Sequence, residues 1–410
     1  MSLVKDLVCV ECGERYPLGT LFPCRKCGGF LDVDYDYARI SEILTRSRIK
    51  NRKATLWKYR ELLPLKSWDR IVTLDEGGTP LIECRRVDEV AGVKKLYVKD
   101  ETRNPTGSFK DRHATVIVSM AVENGVRKIF TVSSGNESAA LGCYCSRAGI
   151  ESLAFVHIYE SNSIKLSQTR FYGTTIGVAP ARKEKIEHFW RNPLKKNAGG
   201  SFFGSGKIFE EAYYKYGWYP STAGPINPYH KEGYKTIAYE ICEQLNWETP
   251  DFVIIPVGSG DNLAAEWKGF NELKSLGLTS KLPRIVATQH HETKSLTGQF
   301  SGHKLSRKCV EESRGYIVNV SSKKEKEYLR LLASKEGLLV EPTSAQPVAS
   351  VKRLSDEGTI SKSDLVVCIG TGSGIKYPEI ASSVSTEPTR VRASFTGMLE
   401  LLAKHRAALR

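Results

Sequence analysis

Lys110 closes the run Asn104-Pro-Thr-Gly-Ser-Phe-Lys, just before Asp111 and Arg112, and sits between a strand-like stretch at 95–99 and an apolar, helix-forming stretch at 113–123. An amine at the head of a helix, beside the positive end of its dipole and partly desolvated, gives up some of its proton affinity. A lysine that forms a Schiff base needs that property. A second constellation lies near the N-terminus. Cys9 and Cys12 form one CxxC pair, Cys24 and Cys27 another, with eleven residues between Cys12 and Cys24. Four thiolates at that spacing suit a closed tetrahedral zinc site, which is structural because no position is left for water or substrate.

Three further turns carry groups with chemical uses. Pro256-Val-Gly-Ser-Gly-Asp-Asn262 follows an apolar strand and precedes a helix, so the backbone N–H groups of Gly258, Ser259, Gly260, Asp261 and Asn262 can cradle a phosphate. Ser133, Ser134, Gly135 and Asn136 occupy the same strand-loop-helix setting, with Glu137 and Ser138 opening the helix. Thr371 follows the apolar strand 365–369 and offers a hydroxyl at its end.

The elements that must position these groups alternate. Helix 113–124, strand 128–132, helix 136–148, strand 152–158 and helix 162–172 are followed, after a polar interval at 191–224, by helix 231–245, strand 251–257, helix 262–275, strand 284–289, helices 323–336 and 344–356, and strand 364–369. Such alternation predicts βαβ units and parallel sheets. The expected architecture is α/β, with two domains, each a mainly parallel sheet flanked by helices, and a small N-terminal ribbon. The ribbon spans 1–37, a large domain combines 38–111 with 206–386, a small inserted α/β domain covers 112–205, and 387–410 is a basic tail with a helix from Phe395. The ribbon is too small to bury a core of its own, so its metal supplies folding energy.

In this order the motifs resemble those of threonine synthase, within the fold type II pyridoxal-phosphate family that includes tryptophan synthase β and cysteine synthase. The matching pieces are the Lys110 run, Leu74-Asp-Glu-Gly-Gly-Thr-Pro-Leu81, Ser133-Ser-Gly-Asn-Glu-Ser138, Asn227-Pro228 with Glu232-Gly233, the 256–262 turn, Glu341-Pro-Thr-Ser-Ala345 and Thr371-Gly-Ser-Gly374, within about 5–380. Some threonine synthases carry a similar cysteine ribbon. The resemblance implies pyridoxal phosphate bound through Lys110 and contacted by Phe109, with Asn136 on its phenolic oxygen, residues 258–262 on its phosphate and Thr371 on its ring nitrogen. It implies a substrate carboxylate held at Ser133, Ser134, Gly135, Glu137 and Ser138, with His230 at the substrate's distal end. The implied reaction is elimination of phosphate from O-phosphohomoserine and addition of water to give threonine, in a homodimer.

Composition narrows the partners. The net charge of +14 is spread over most of the chain, which argues against a nucleic-acid surface and is compatible with attraction of anionic small molecules, while the resemblance implies an amino-acid substrate, expected to be phosphorylated. No run of about 18 apolar residues occurs, so no membrane span is expected. The N-terminal residues lack the apolar core of a signal peptide, which points to the cytoplasm.

The chain departs from the threonine synthase pattern inside the cleft. Glu137 stands for a threonine, His113 for a glycine, Asp261 for a glycine, and Gly224-Pro225 and His230 for residues that grip phosphate, among them an arginine. Replacing a bidentate guanidinium by imidazole is not conservative for phosphate, although Lys231 or Lys235 are candidates to compensate. Glu137 must point away from a substrate carboxylate, be protonated or meet a cation. These changes open alternatives: β-replacement on phosphoserine or another β-substituted alanine, similar to cysteate synthase or a diaminopropionate synthase; a serine or threonine dehydratase; or a zinc-ribbon assembly module without catalysis.

Overall fold

A computed structural model describes residues 3–19, 21–133, 135–157, 164–179, 207–221, 226–290, 301–384 and 389–408. Near the N-terminus, β1 (Val4–Cys9) pairs antiparallel with β2 (Arg15–Tyr16) and with β3 (Leu31–Tyr35), forming a three-stranded module around the two CxxC turns. Residues 37–62 form the short helices Tyr37–Ile43 and Arg46–Lys50 and a 3₁₀ stretch Leu56–Leu62. Thr45 caps the second of these by accepting from the Arg48 N–H, which breaks the segment at that point.

The main sheet holds β4 (Leu81–Glu83) and β5 (Lys95–Asp100). The second sheet holds β6 (Lys128–Val132), β7 (Glu151–His157), β8 (Thr175–Ala179) and β9 (Tyr219–Pro220), in the order β8-β7-β6-β9, with parallel pairing throughout. The chain then returns to the main sheet with β10 (Phe252–Pro256), β11 (Arg284–His290), β12 (Tyr316–Val320) and β13 (Leu365–Gly370), in the order β12-β11-β10-β13-β5-β4, parallel except for β4. The fold is therefore α/β with two sheets, as the alternation of elements requires.

Burial explains why the central strands read as unbroken apolar runs. Along β10, Val253 and Ile255 enter one core and Phe252 and Ile254 another. Along β13, Val367 and Ile369 take the first side and Val366 and Cys368 the second. A strand covered by helices on both faces has no polar side to show.

Several expectations need correction. β9 pairs with β6, so the small sheet extends past the expected boundary at 205 and the chain leaves it after Pro220; a two-residue strand has no periodicity to read. The helix expected at 231–245 is two, His230–Tyr234 and Thr236–Gln244. Helix Ser301–Glu312 and β12 were not anticipated; between them they carry mostly polar residues at the edge of the sheet. The helix expected from 113 begins at Lys110, and the tail helix runs Phe395–Ala408. The expected 191–205 part of the polar interval, and the 205/206 boundary itself, lie outside the described residues.

Candidate active site

Lys110 is the first residue of helix Lys110–Glu123, and the residues on either side of it fix that helix start. Upstream, the Phe109 N–H donates to Thr371 O at 2.9 Å and the Ser373 N–H to Gly107 O at 2.9 Å, tying the lysine loop to the end of β13. Downstream, the fully buried Arg112 guanidinium donates from Nε to Glu101 Oε2 at 2.6 Å and from Nη1 to Glu240 Oε1 at 2.7 Å, while Lys99 Nζ donates to Glu240 Oε2 at 2.7 Å. Two cations facing two carboxylates leave no net charge in the interior, and breaking such a set strands an unpaired charge at a cost of about 3–5 kcal/mol. Asp111 Oδ2 accepts from the Thr106 N–H at 3.0 Å and from Thr106 Oγ1 at 2.8 Å, and burial pushes its pKa up to about 7 against those bonds.

A cavity of about 560 Å³ opens in front of Lys110. Phe109, Lys110, Gly258, Ser259, Gly260, Asn262 and Thr371 line it, so residues separated by more than 250 positions in sequence share one space. It lies beyond the carboxyl ends of β10, β11 and β13, where open α/β sheets bind ligands. Gly260, at φ +93°, turns the chain into helix Asp261–Ser275, and a Cβ on Gly258 would meet nothing within 4 Å. The loop is thus an open cradle at a helix N-terminus, a fit for a phosphate group. Asp261 accepts from Ser259 Oγ at 2.9 Å.

Glu341 organises the opposite wall and was quoted in the sequence only as part of a motif, without a role. Its Oε1 accepts from Thr371 Oγ1 at 2.7 Å, and its Oε2 from Asn136 Nδ2 at 2.9 Å and from Tyr377 Oη at 3.2 Å. Asn136 Oδ1 in turn accepts from Lys376 Nζ at 3.0 Å. A carboxylate with three donors holds the Asn136 amide and the Thr371 hydroxyl in fixed orientations. Thr343, from the quoted 341–345 motif, also lines the cavity, as do His290, Glu325 and Gln346, which no sequence pattern singles out.

Of the carboxylate-loop residues, Ser133 Oγ accepts from the Gly135 N–H at 3.3 Å, while Ser138 is fully buried, donating to Gly135 O at 2.9 Å with Thr169 Oγ1 also 2.9 Å away. Ser138 thus supports the loop from within the helix. Ser134, Gly224 and Pro225 lie outside the described residues.

Three of the positions at which the chain departs from the pattern it resembles meet at one point. Ring nitrogens of His113 and His230 and a carboxylate oxygen of Glu137 lie within 4.8 Å of one another. The imidazole centroids are 4.4 Å apart. Glu137 meets a cation after all: its Oε2 is 3.5 Å from Lys110 Nζ, and its Oε1 accepts from Thr131 Oγ1 at 2.9 Å. Burial raises its proton affinity and Lys110 opposes that. Burial also holds both imidazoles well below 6.5, so they are neutral near pH 7. Tyr234 closes the cluster, with its hydroxyl 3.0 Å from His113 Nδ1 and its ring 5.3 Å from Lys110 Nζ.

The helix His230–Tyr234 is gripped from its other side by the N-terminal module. Tyr35 Oη donates to Glu232 Oε2 at 2.5 Å, Lys231 Nζ lies 3.3 Å from Asp32 Oδ1, and the Gly19 N–H donates to Tyr229 Oη at 2.8 Å. Lys235 Nζ pairs with Glu232 at 2.7 Å and Glu272 at 3.0 Å. Lys231 and Lys235 are therefore committed to these pairs and do not stand in for an arginine in the cleft. In the module itself, Cys9 Sγ and Cys27 Sγ are 3.4 Å apart, Cys12 Sγ and Cys24 Sγ 3.7 Å, and all four sulfurs lie within 4.8 Å of one another. Four sulfurs about 2.3 Å from one tetrahedral ion would be separated by roughly 3.8 Å, so the cluster fits zinc.

Residues 72–372 match the family model described as pyridoxal-phosphate dependent enzyme. The chain is 34% identical to a threonine synthase of Methanocaldococcus jannaschii, over 96% of this chain and 98% of that one. It is also 34% identical to a threonine synthase of Methanosarcina acetivorans, over 97% and 98%. Among solved structures it resembles an O-ureido-L-serine synthase (TM-score 0.59, 20% identity, 78% of this chain and 96% of that one). A serine racemase from Dictyostelium discoideum aligns with TM-score 0.57 and 22% identity, over 79% and 99%. These two structural likenesses speak to the fold.

Proposed function

The chain belongs to the family of pyridoxal-phosphate dependent enzymes and is a threonine synthase-like lyase, and from that premise we propose that it converts O-phosphohomoserine and water to threonine and phosphate. The observation that carries the reading is the single cavity lined by Lys110, the 258–260 turn and Thr371. In this reading Lys110 bonds the cofactor, Phe109 packs against it, and the backbone N–H groups of residues 258–262 hold its phosphate. Asn136 meets its phenolic oxygen and Thr371 its ring nitrogen. When bound, pyridoxal phosphate supplies the electron-withdrawing ring that acidifies the substrate α-carbon.

The remaining work belongs to the chain. Lys110, as a free amine beside the substrate, would take the α-proton and return it later. Ser133, Ser134 and Gly135, at the head of helix Asn136–Ala148, bind the substrate carboxylate. Glu137, its carboxylate oxygen 3.5 Å from Lys110 Nζ, pairs with that amine and orients it towards the substrate. His230 and His113 border the distal end of the substrate.

The four N-terminal cysteines hold a structural zinc, and the enzyme works as a cytoplasmic homodimer. No helix among the described residues is long and apolar enough to cross a membrane. One observation favours a second reading. With Lys231 and Lys235 paired elsewhere, the cation that meets this cluster among the described residues is Lys110, 3.5 Å from Glu137, which suits a shorter substrate whose phosphate lies closer to the reacting carbon, such as O-phosphoserine in a β-replacement. Phosphate release from each phosphoamino acid by the cofactor-loaded protein, with product identification, tests both. Threonine formed from O-phosphohomoserine supports the first reading; turnover of O-phosphoserine alone replaces it with the second.

A further inference from the structure

His113 and His230 are 0% and 1% exposed, and three of their four ring nitrogens have no hydrogen-bond partner among the described residues: His113 Nε2 and both nitrogens of His230. Burying a polar group without a partner is unfavourable, and most buried polar groups find one, so such an arrangement stands out unless something occupies it. The two rings are supplied by different elements, His113 by the first turn of helix Lys110–Glu123 and His230 by the first residue of helix His230–Tyr234. Glu137, from a third element, brings a carboxylate oxygen to the same point. The Tyr234 hydroxyl lies 3.0 Å from His113 Nδ1, so with Nδ1 as the protonated nitrogen donating to it, Nε2 carries the lone pair that a metal would take.

We propose that His113, Glu137 and His230 form a binding site for a divalent first-row transition-metal ion beside Lys110. Two imidazoles and one carboxylate are a ligand set for zinc, iron(II) or cobalt(II). Ligands about 2.1 Å from one ion stand roughly 3–3.5 Å apart, and small side-chain rotations bring donors now within 4.8 Å to that separation. Three protein ligands leave the shell open, unlike the four cysteines, which close theirs. The open positions suit an oxyanion of the substrate side chain, and the ion supplies positive charge where, among the described residues, Lys231 and Lys235 are engaged in ion pairs elsewhere. Lys110 competes for Glu137 at 3.5 Å, so the ion and the ammonium share one carboxylate.

The proposal stands apart from the choice of substrate, because ion binding is read without turnover. The full-length, cofactor-loaded protein is supplied with zinc, dialysed against cobalt(II), and its total metal content per chain is measured for wild type and for His230→Ala, His113→Gln and Glu137→Gln. The expected result is one more ion per chain in wild type than in each variant, with unchanged circular dichroism and retained cofactor absorbance. X-ray absorption on the wild type should show that the ion lost in the variants has nitrogen and oxygen neighbours only, distinct from a sulfur-bound ion. Equal metal content in wild type and in the folded variants overturns the proposal, as does an extra ion bound by sulfur. Should His230→Ala fail to fold, the His113→Gln comparison and the absorption spectrum of the wild type decide the matter alone.

Discussion

Gly233 lies against the backbone of Arg112 so closely that a Cβ on it would sit 1.9 Å from the Arg112 carbonyl oxygen and 2.8 Å from the His113 N–H nitrogen. This contact lets helix His230–Tyr234 press onto the first turn of the Lys110 helix. Neither backbone can yield, since Arg112 is pinned by Glu101 and Glu240. Gly233→Ala should therefore cost about 3 kcal/mol or more. A urea titration checks it; a midpoint within error of wild type at equal slope would show that the two helices can separate freely.

Lys110→Ala should abolish the visible absorbance of the lysine-bound cofactor and lower turnover by about 10³-fold or more. Lys110→Arg keeps the charge and should not restore either. A normal spectrum in the alanine variant would move the cofactor lysine elsewhere.

Glu341 orients both Asn136 and Thr371, so Glu341→Gln replaces an acceptor of three hydrogen bonds by a group that faces two of its donors with a donor of its own. Catalysis should fall about 10²-fold, the usual consequence of displacing a binding group by an ångström, while thermal stability changes little. A large loss of melting temperature with undiminished kcat would make Glu341 a structural residue only.

Asp111 has its pKa raised by burial to about 7, well above the ordinary carboxylate value. The folded protein then holds this proton at pH values where the unfolded chain has released it. Its contribution to stability is complete below about pH 4 and is lost as the pH rises towards 7, by about 4 kcal/mol at most. Asp111→Asn should flatten that slope. Stability of the two proteins compared between about pH 4 and pH 7 checks the sign, and a difference that grows with falling pH in the opposite direction would refute it.

Removing the metal expected at Cys9, Cys12, Cys24 and Cys27, by a chelator or by Cys24→Ser, should lower the unfolding temperature without abolishing the cofactor spectrum, because the module depends on metal for its folding energy. An unchanged unfolding temperature in a protein shown to have lost its zinc would deny the ion a structural role.

Much of this was legible in the sequence, for a physical reason in each case. Helix Asn136–Ala148 was read at its observed limits because Gly135 and Gly149 bound an uninterrupted helical run. The 256–262 turn, Lys110 and Thr371 were identifiable because each closes or opens an element at an apolar boundary, and such boundaries fall at the ligand-binding edge of a parallel sheet. The cluster of His113, Glu137 and His230 was not, although each residue was noted by itself. No local pattern joins positions so far apart, and only the approach permitted by Gly233 brings His230 to His113. Glu341 was missed as a site residue because its role depends on Asn136, 205 positions away in the sequence.

Helix His230–Tyr234 works as a five-residue lever with one arm in the cysteine module, through Asp32 and Tyr35, and the other against Lys110, through His230 and Tyr234. Free energies coupled through a shared element are reciprocal. A ligand that binds the cleft more tightly when this helix is held should raise the affinity of the four thiolates for a metal ion by the same factor by which the ion raises the affinity for the ligand, so metal affinity becomes a remote gauge of what the cleft contains.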